Sequence, residues 1–273
     1  MNKIPVGLQI YSVRGDAERD LTGTLKKIKE IGYDFVELAG LYGKSFAEVK
    51  DALEEAGIPA ISAHVPLVEL EADPENIVSN YAGLGCRYIA VPYLPEELRP
   101  NTPGFEKVMQ LIPRIGKICG EHGLVLLYHN HDFEFEKING QYALEYIYET
   151  VPPELLQTEL DCCWVKAAGE DPAKYIRKYA HRCPVVHLKD FYKEGKPKNM
   201  YQLIGIEAAE KEEEDGRFEF RPVGFGMQVM PELLEAAVES GAKYFVVEQD
   251  ESQGRTPMEA VTMSRRYLEL LQF

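Results

Sequence analysis

Apolar positions along the chain alternate between two rhythms. Short continuous runs are each followed by a longer stretch in which apolar residues recur at helical spacing. Val6 to Ile10 is the first run, and Leu21, Leu25, Ile28 and Ile31 then repeat every three or four positions. Asp20 or Thr22 is placed to cap that helix, and Gly32 to end it. The same alternation continues to the C-terminus. Strands are predicted at Tyr33 to Leu38, Ile58 to Ala63, Tyr88 to Val91, Leu124 to Leu127, Leu155 to Leu160, Pro184 to Leu188 and Lys243 to Val247.

Helices are predicted between them, marked by their end residues. Ser45 and Gly57 bracket one, Asp73-Pro74 opens the next, and Pro103 to Glu121 and Gln141 to Thr150 follow. Asp171-Pro172, Met230 and Thr256-Pro257 open the last three. A longer excursion, Asp190 to Gly226, carries the acidic run Glu210 to Asp215 and is expected to cover a site or solvate one flank.

Strand–helix alternation implies parallel strands, and eight such units close a (β/α)8 TIM barrel of class α/β. A doubly wound open sheet would need a glycine-rich phosphate loop after the first strand, and GLQIYSVRGD supplies none. No compositional break interrupts the 273 residues, so residues 1–273 read as one domain.

Composition narrows the partners. The formal charge of −15 disfavours nucleic acid and anionic lipid, which both require basic surfaces. Cys86, Cys119, Cys162, Cys163 and Cys183 are odd in number and contain no CxxC pair, which fits a reducing, cytoplasmic compartment. The N-terminal stretch reads as neither a signal peptide nor a membrane span.

In a barrel of this type the active site lies at the C-terminal strand ends. There the sequence puts Gln9, Glu37, His64, His129, His131, Asp161, His187, Lys189, Glu248 and Asp250. His129 and His131 alternate at the end of one strand and so share a face. Asp161, His187 and Glu248 end three later strands. Burying two carboxylates and an imidazole together without a cation is costly, so a divalent metal site is expected. One or two imidazoles with two carboxylates suit Mn²⁺, Co²⁺, Zn²⁺ or Fe²⁺ better than Ca²⁺; Mg²⁺ completes the expected set. Such an ion would act as a Lewis acid towards a chelating carbonyl and hydroxyl and stabilise an enediolate. Cys162 and Cys163 are expected to be small buried residues, since only one of two consecutive strand residues faces inward.

The segments VGLQIYSV, FVEL at 35–38, SAH at 62–64, YHNHDFEF at 128–135, ELDCCW at 159–164, VVHLKD at 185–190, PVGFG at 222–226 and VVEQD at 246–250 resemble the xylose-isomerase-like barrels. That is the sugar phosphate isomerase/epimerase group. The resemblance covers nearly the whole chain. It implies four metal ligands from successive strands, Glu, Asp, His and Glu. Asp161, His187 and Glu248 match the last three. Where the family commonly has Glu-Asn-His, this chain has His129-Asn130-His131. The resemblance then gives the fourth ligand to His129, with His131 close behind. A family histidine is replaced by Trp164, and an expected arginine by Lys193. Dimers or tetramers are common in the group, so a homo-oligomer is a natural expectation.

Three readings follow. The first is a divalent-metal-dependent sugar isomerase or epimerase acting on a keto or aldo sugar. Glu248 or His131 moves the proton beside the carbonyl and Lys189 stabilises the oxyanion. Gln9, Glu37, His64 and Trp164 are its expected substrate-binding residues, with Trp164 as an apolar wall for the ring. The second is a lyase on the same scaffold, removing water or a glycosidic leaving group from a keto-sugar, keto-glycoside or keto-inositol. The third is a non-catalytic sugar-binding barrel. All three take a small-molecule sugar. DNA-repair endonucleases with this barrel would need further ligands and a basic surface.

Overall fold

A computed structural model describes residues 3–196, 200–201 and 215–273. Most of the acidic run at 210–215 therefore lies outside the described residues. Eight parallel strands form a closed barrel in sequential order: β1 Val6–Gln9, β2 Phe35–Ala39, β3 Ala60–His64, β4 Tyr88–Val91, β5 Val125–His129, β6 Gln157–Asp161, β7 Val185–Leu188 and β8 Tyr244–Val247. β8 closes on β1 with Val6 beside Phe245 and Leu8 beside Val247.

The helix ends follow the cap chemistry. Asp20 accepts from Gly23 N ahead of Leu21–Ile31, and Gly32 ends that helix at φ 104°. Ser45 and Glu48 form a capping box before Phe46–Ala56, and Thr256 and Glu259 form another before Pro257–Leu270. A hydroxyl or carboxylate here satisfies amide N–H groups that the first turn leaves unpaired.

Boundaries shift in places. The helix expected from Gln141 begins at Ala143, because Gln141–Tyr142 pairs with Lys137–Ile138 as a short hairpin. The excursion after β7 opens as an antiparallel ribbon, Asp190–Lys196 against Asp215–Arg221. Cys162 and Cys163 are buried as expected, but for a different reason. They begin a short helix, Cys162–Ala167, and both are fully buried. Neither cysteine lies on a strand, since the chain has already turned at Asp161.

Inside the barrel, side chains stack in layers, because every second strand residue points inward. The lowest layers are apolar: Phe35, Tyr88, Ala90, Leu127, Val185 and Val246 pack as one cluster. Gly7 makes room for this floor. A Cβ at Gly7 would lie 2.2 Å from the Phe35 ring. One step up each strand the interior turns polar, with Glu37 above Phe35, His129 above Leu127, His187 above Val185 and Glu248 above Val246.

Candidate metal centre and cavity

β6 ends in Asp161, whose carboxylate is divided between two tasks. Oδ1 accepts from Cys163 N at 2.7 Å and Trp164 N at 3.1 Å, capping the following helix. Oδ2 is buried without a hydrogen-bond partner and lies 3.4 Å from His129 Nε2. His129 Nε2 is also 3.7 Å from Glu248 Oε2, and His187 Nδ1 lies 3.1 Å from that oxygen. One donor atom from each of His129, Asp161, His187 and Glu248 falls within 4.8 Å of the others. His129 has no hydrogen bond at either ring nitrogen. Buried polar atoms normally find partners, so facing orphans of this donor chemistry fit a shared cation. This group could hold a metal ion.

A second layer lies beneath. Glu37 Oε1 is 2.8 Å from His187 Nε2 and 3.1 Å from His64 Nε2, and it accepts from Gln9 Nε2 at 2.8 Å. Glu159 Oε1 is 2.6 Å from His64 Nε2 and 3.0 Å from His187 Nε2. Burial would raise the Glu37 carboxyl, but the two imidazoles outweigh it and hold it well below the usual range. Burial opposes charge on His64, yet Glu37 and Glu159 push it up to about 10. The same carboxylates drive His187 well above its ordinary value. Without a cation, protons on imidazoles offset the buried negative charge.

Above the group sits Lys189, 2 % exposed. Its Nζ lies 2.6 Å from Asp250 Oδ2, 3.1 Å from Glu248 Oε2 and 3.7 Å from Asp161 Oδ2. Burial works against its charge, but Asp250 and Glu248 prevail and raise its pKa. Lys189, expected to stabilise an oxyanion, is paired with carboxylates and also lines the cavity.

His131 points elsewhere than His129. Its ring stacks on Phe133 at 5.5 Å and meets Tyr93 edge-on at 5.1 Å and Trp164 at 4.9 Å. Burial and the neighbouring His129 lower its pKa well below the ordinary value. Of the two imidazoles, His129 joins the donor group that could hold an ion, and His131 lies on the cavity's aromatic side.

The cavity over this group measures about 360 Å³ and is lined by His64, His129, His131, Lys189, Glu248 and Asp250, with Tyr11, Glu69 and Tyr93 at its walls. Gln9, Glu37 and Trp164, expected to bind substrate, do not line it. Gln9 and Glu37 lie beneath the ligand group, both fully buried. Trp164 is sealed between Tyr201 and Phe218 at 5.7 and 6.1 Å. Lys193, at the expected arginine position, donates to the Ala167 carbonyl at 2.9 Å. Three buried acids escaped the sequence reading. Glu159 could have been found, since it precedes Asp161 by two on one strand face. Glu134 accepts from Tyr128 Oη at 2.6 Å and His131 N at 2.8 Å, pinning the loop after β5. Asp190 collects the amides of Phe191, Gly224, Gly226 and Gln228, which fastens PVGFG beside the barrel mouth.

A closed parallel barrel with a buried imidazole–carboxylate group under a cavity at the strand C-termini defines the (β/α)8 class with its site at the barrel mouth. The chain belongs to the xylose isomerase-like TIM barrel family, whose model matches residues 25–271. It is similar to an inosose dehydratase of Geobacillus kaustophilus, 25% identical over 61% of this chain and 60% of that protein's length. An inosose dehydratase of Bacillus anthracis is 22% identical over 93% of this chain and 90% of that protein. Among solved structures, a sugar phosphate isomerase/epimerase from Parabacteroides distasonis superposes with a TM-score of 0.78 at 22% identity, covering 98% of this chain and 94% of that one. The 3-keto-D-glucoside 4-epimerase YcjR of E. coli gives 0.67 at 18%, covering 99% of both. A xylose isomerase-like protein from Mycobacterium smegmatis, in complex with magnesium, gives 0.70 at 12%, covering 98% and 96%. At these identities the structural likeness shows the fold alone. No helix among the described residues is long and apolar enough to cross a membrane.

Proposed function

We propose that this protein is a divalent-metal-dependent isomerase or epimerase of a keto or aldo sugar. The observation that carries the reading is the meeting of His129, Asp161, His187 and Glu248 donor atoms beneath an accessible cavity. These four residues would hold the ion. When bound, it supplies a Lewis acid that offsets negative charge growing on the substrate's oxygens.

The protein's own groups do the rest. Glu248 and His131 both line the cavity, and either can take the proton next to the carbonyl. Lys189 lines the same space, and its ammonium favours charge on a substrate oxygen. Tyr93 gives the sugar an apolar face. Gln9 and Glu37, below the ligands, act on them and leave the sugar to the residues above. Returning the proton to another carbon or another face completes the isomerisation or epimerisation.

A lyase reading is favoured by one specific observation: a relative named inosose dehydratase matches over 93% of this chain. The first half-reaction is then the same proton removal, followed by loss of a neighbouring hydroxyl or glycosidic group. Incubating the Mn²⁺-loaded protein in D2O with a panel of keto sugars, keto-glycosides and keto-inositols tests both readings. Deuterium incorporated without loss of oxygen substituents supports the isomerase, and an enone product supports the lyase. Absence of exchange and of product across the panel defeats both.

A further inference from the structure

Glu159 is fully buried and does not line the cavity. Resting on the reading of His187 as a cation ligand, we infer that Glu159 is a positioning residue. Together with Glu37 it keeps the His187 proton on Nε2, which leaves the Nδ1 lone pair to the ion.

An imidazole that binds a cation through one nitrogen carries its proton on the other, and the partner of that N–H fixes the tautomer. His187 Nδ1 faces the ligand group, 3.1 Å from Glu248 Oε2. Its Nε2 faces Glu37 Oε1 at 2.8 Å and Glu159 Oε1 at 3.0 Å. His64 Nε2 competes for the same two oxygens, at 3.1 Å and 2.6 Å. Glu37 Oε1 also accepts from Gln9.

With Glu37 alone, one oxygen would have to receive Gln9, His64 and His187. Glu159 takes His64 at the shorter distance and leaves Glu37 free for His187. The second oxygens of both carboxylates are buried without hydrogen-bond partners among the described residues, so apart from Gln9 on Glu37 the two imidazoles are what these carboxylates hold. Removing Glu159 therefore sends His64 to Glu37 and loosens the hold on the His187 proton. A competing role exists in the geometry. Glu159 also belongs to a second group with His64, His129 and His187 whose donor atoms fall within 4.8 Å of one another, which would make it a ligand itself.

Calorimetric titration of the full chain with Mn²⁺ decides between them, using wild type, Glu159→Ala and the isosteric Glu159→Gln. One ion per chain is expected in all three. Glu159→Ala should bind about 10- to 100-fold more weakly, and Glu159→Gln, which keeps an acceptor oxygen, less so. Proton–nitrogen-15 histidine spectra of the Zn²⁺-loaded protein should show a downfield, slowly exchanging His187 Nε2–H in wild type, and in Glu159→Ala an upfield shift and faster exchange of that proton, a change that packing damage elsewhere does not make. Variant affinities within twofold of wild type overturn the inference while sparing the cation site. A second ion in wild type overturns it in favour of Glu159 as a ligand. A wild type that takes up no Mn²⁺ removes the cation site itself, and this inference with it. Should Glu159→Ala fail to fold, Glu159→Gln carries the comparison.

Discussion

Lys189 Nζ and Asp250 Oδ2 lie 2.6 Å apart in the barrel mouth, both nearly sealed from water. The ammonium also reaches Glu248 at 3.1 Å, so it is the counter-charge to carboxylates on one side of the site. Taking one partner out of such a buried pairing leaves the others uncompensated. Lys189→Met should destabilise the metal-free protein by about 3–5 kcal/mol. Urea unfolding with and without Mn²⁺ checks this, and the loss should shrink when Mn²⁺ is present to share the carboxylates. Turnover should fall by about 10²–10³-fold even where the protein remains folded.

Asp161 allows metal binding to be separated from folding. Its Oδ1 caps the helix at Cys162–Ala167 while Oδ2 faces His129. Asp161→Asn can keep the capping oxygen and turns an amide NH2 towards the ligand group. The variant should fold, yet its purified metal content should drop at least about tenfold, measured by elemental analysis. Wild type at a free Mn²⁺ concentration 100 times its Kd should gain about 2.7 kcal/mol of stability that chelation removes. Asp161→Asn should show almost none of that gain.

Much of the barrel is readable in the chain because its punctuation is chemical. Asp20, Ser45 and Thr256 cap helices, while Gly32 and Gly57 end them in left-handed geometry that other residues resist. Period-two alternation likewise tells which strand residues face inward. What alternation leaves open is height. Strands in a closed barrel are staggered, so two residues at nominal strand ends can sit at different levels. Gln9 pairs in register with Glu37 and both lie under the ligand group, whereas Asp161 pairs with His187 within it. Trp164 was obscured for another reason. Asp161 turns the chain into a helix, and a residue three positions on then packs behind the site instead of above it. Glu159 needed no new principle, only the same step of two that links His129 to His131.

Glu134 should make stability depend on pH. Burial raises its carboxyl to about 7, opposed by hydrogen bonds from Tyr128 and His131. An acid raised in the folded state holds a proton that the unfolded chain has already released. Its contribution is therefore intact below about 4.5 and is lost as pH climbs through about 7. The full difference is on the order of 3 kcal/mol. Unfolding free energies of wild type and Glu134→Gln, measured from pH 5 to 8, should diverge in slope. Wild type should lose stability more steeply as pH rises, and parallel curves would contradict the assignment.

Tyr93 and Trp164 are both aromatic, but only Tyr93 reaches the cavity. Its ring is fixed edge-on to His131 at 5.1 Å and to Phe133 at 5.7 Å, and its hydroxyl accepts from Arg99. A wall held on three sides presents one face to a sugar without costly rearrangement. Tyr93→Ala should therefore raise KM about two- to tenfold, the scale of one aromatic contact, on whichever substrate the exchange assay selects. Trp164 instead fills the space between Tyr201 and Phe218, with the Lys189 ammonium 5.3 Å from its ring. Trp164→Ala should cost about 3–5 kcal/mol of stability through the cavity it leaves. Its conservative variant Trp164→Phe should keep KM within about twofold while losing part of that stability. A KM that rises more for Trp164→Phe than for Tyr93→Ala would return the stacking role to the tryptophan, and would require the barrel mouth to open along the Trp164 face.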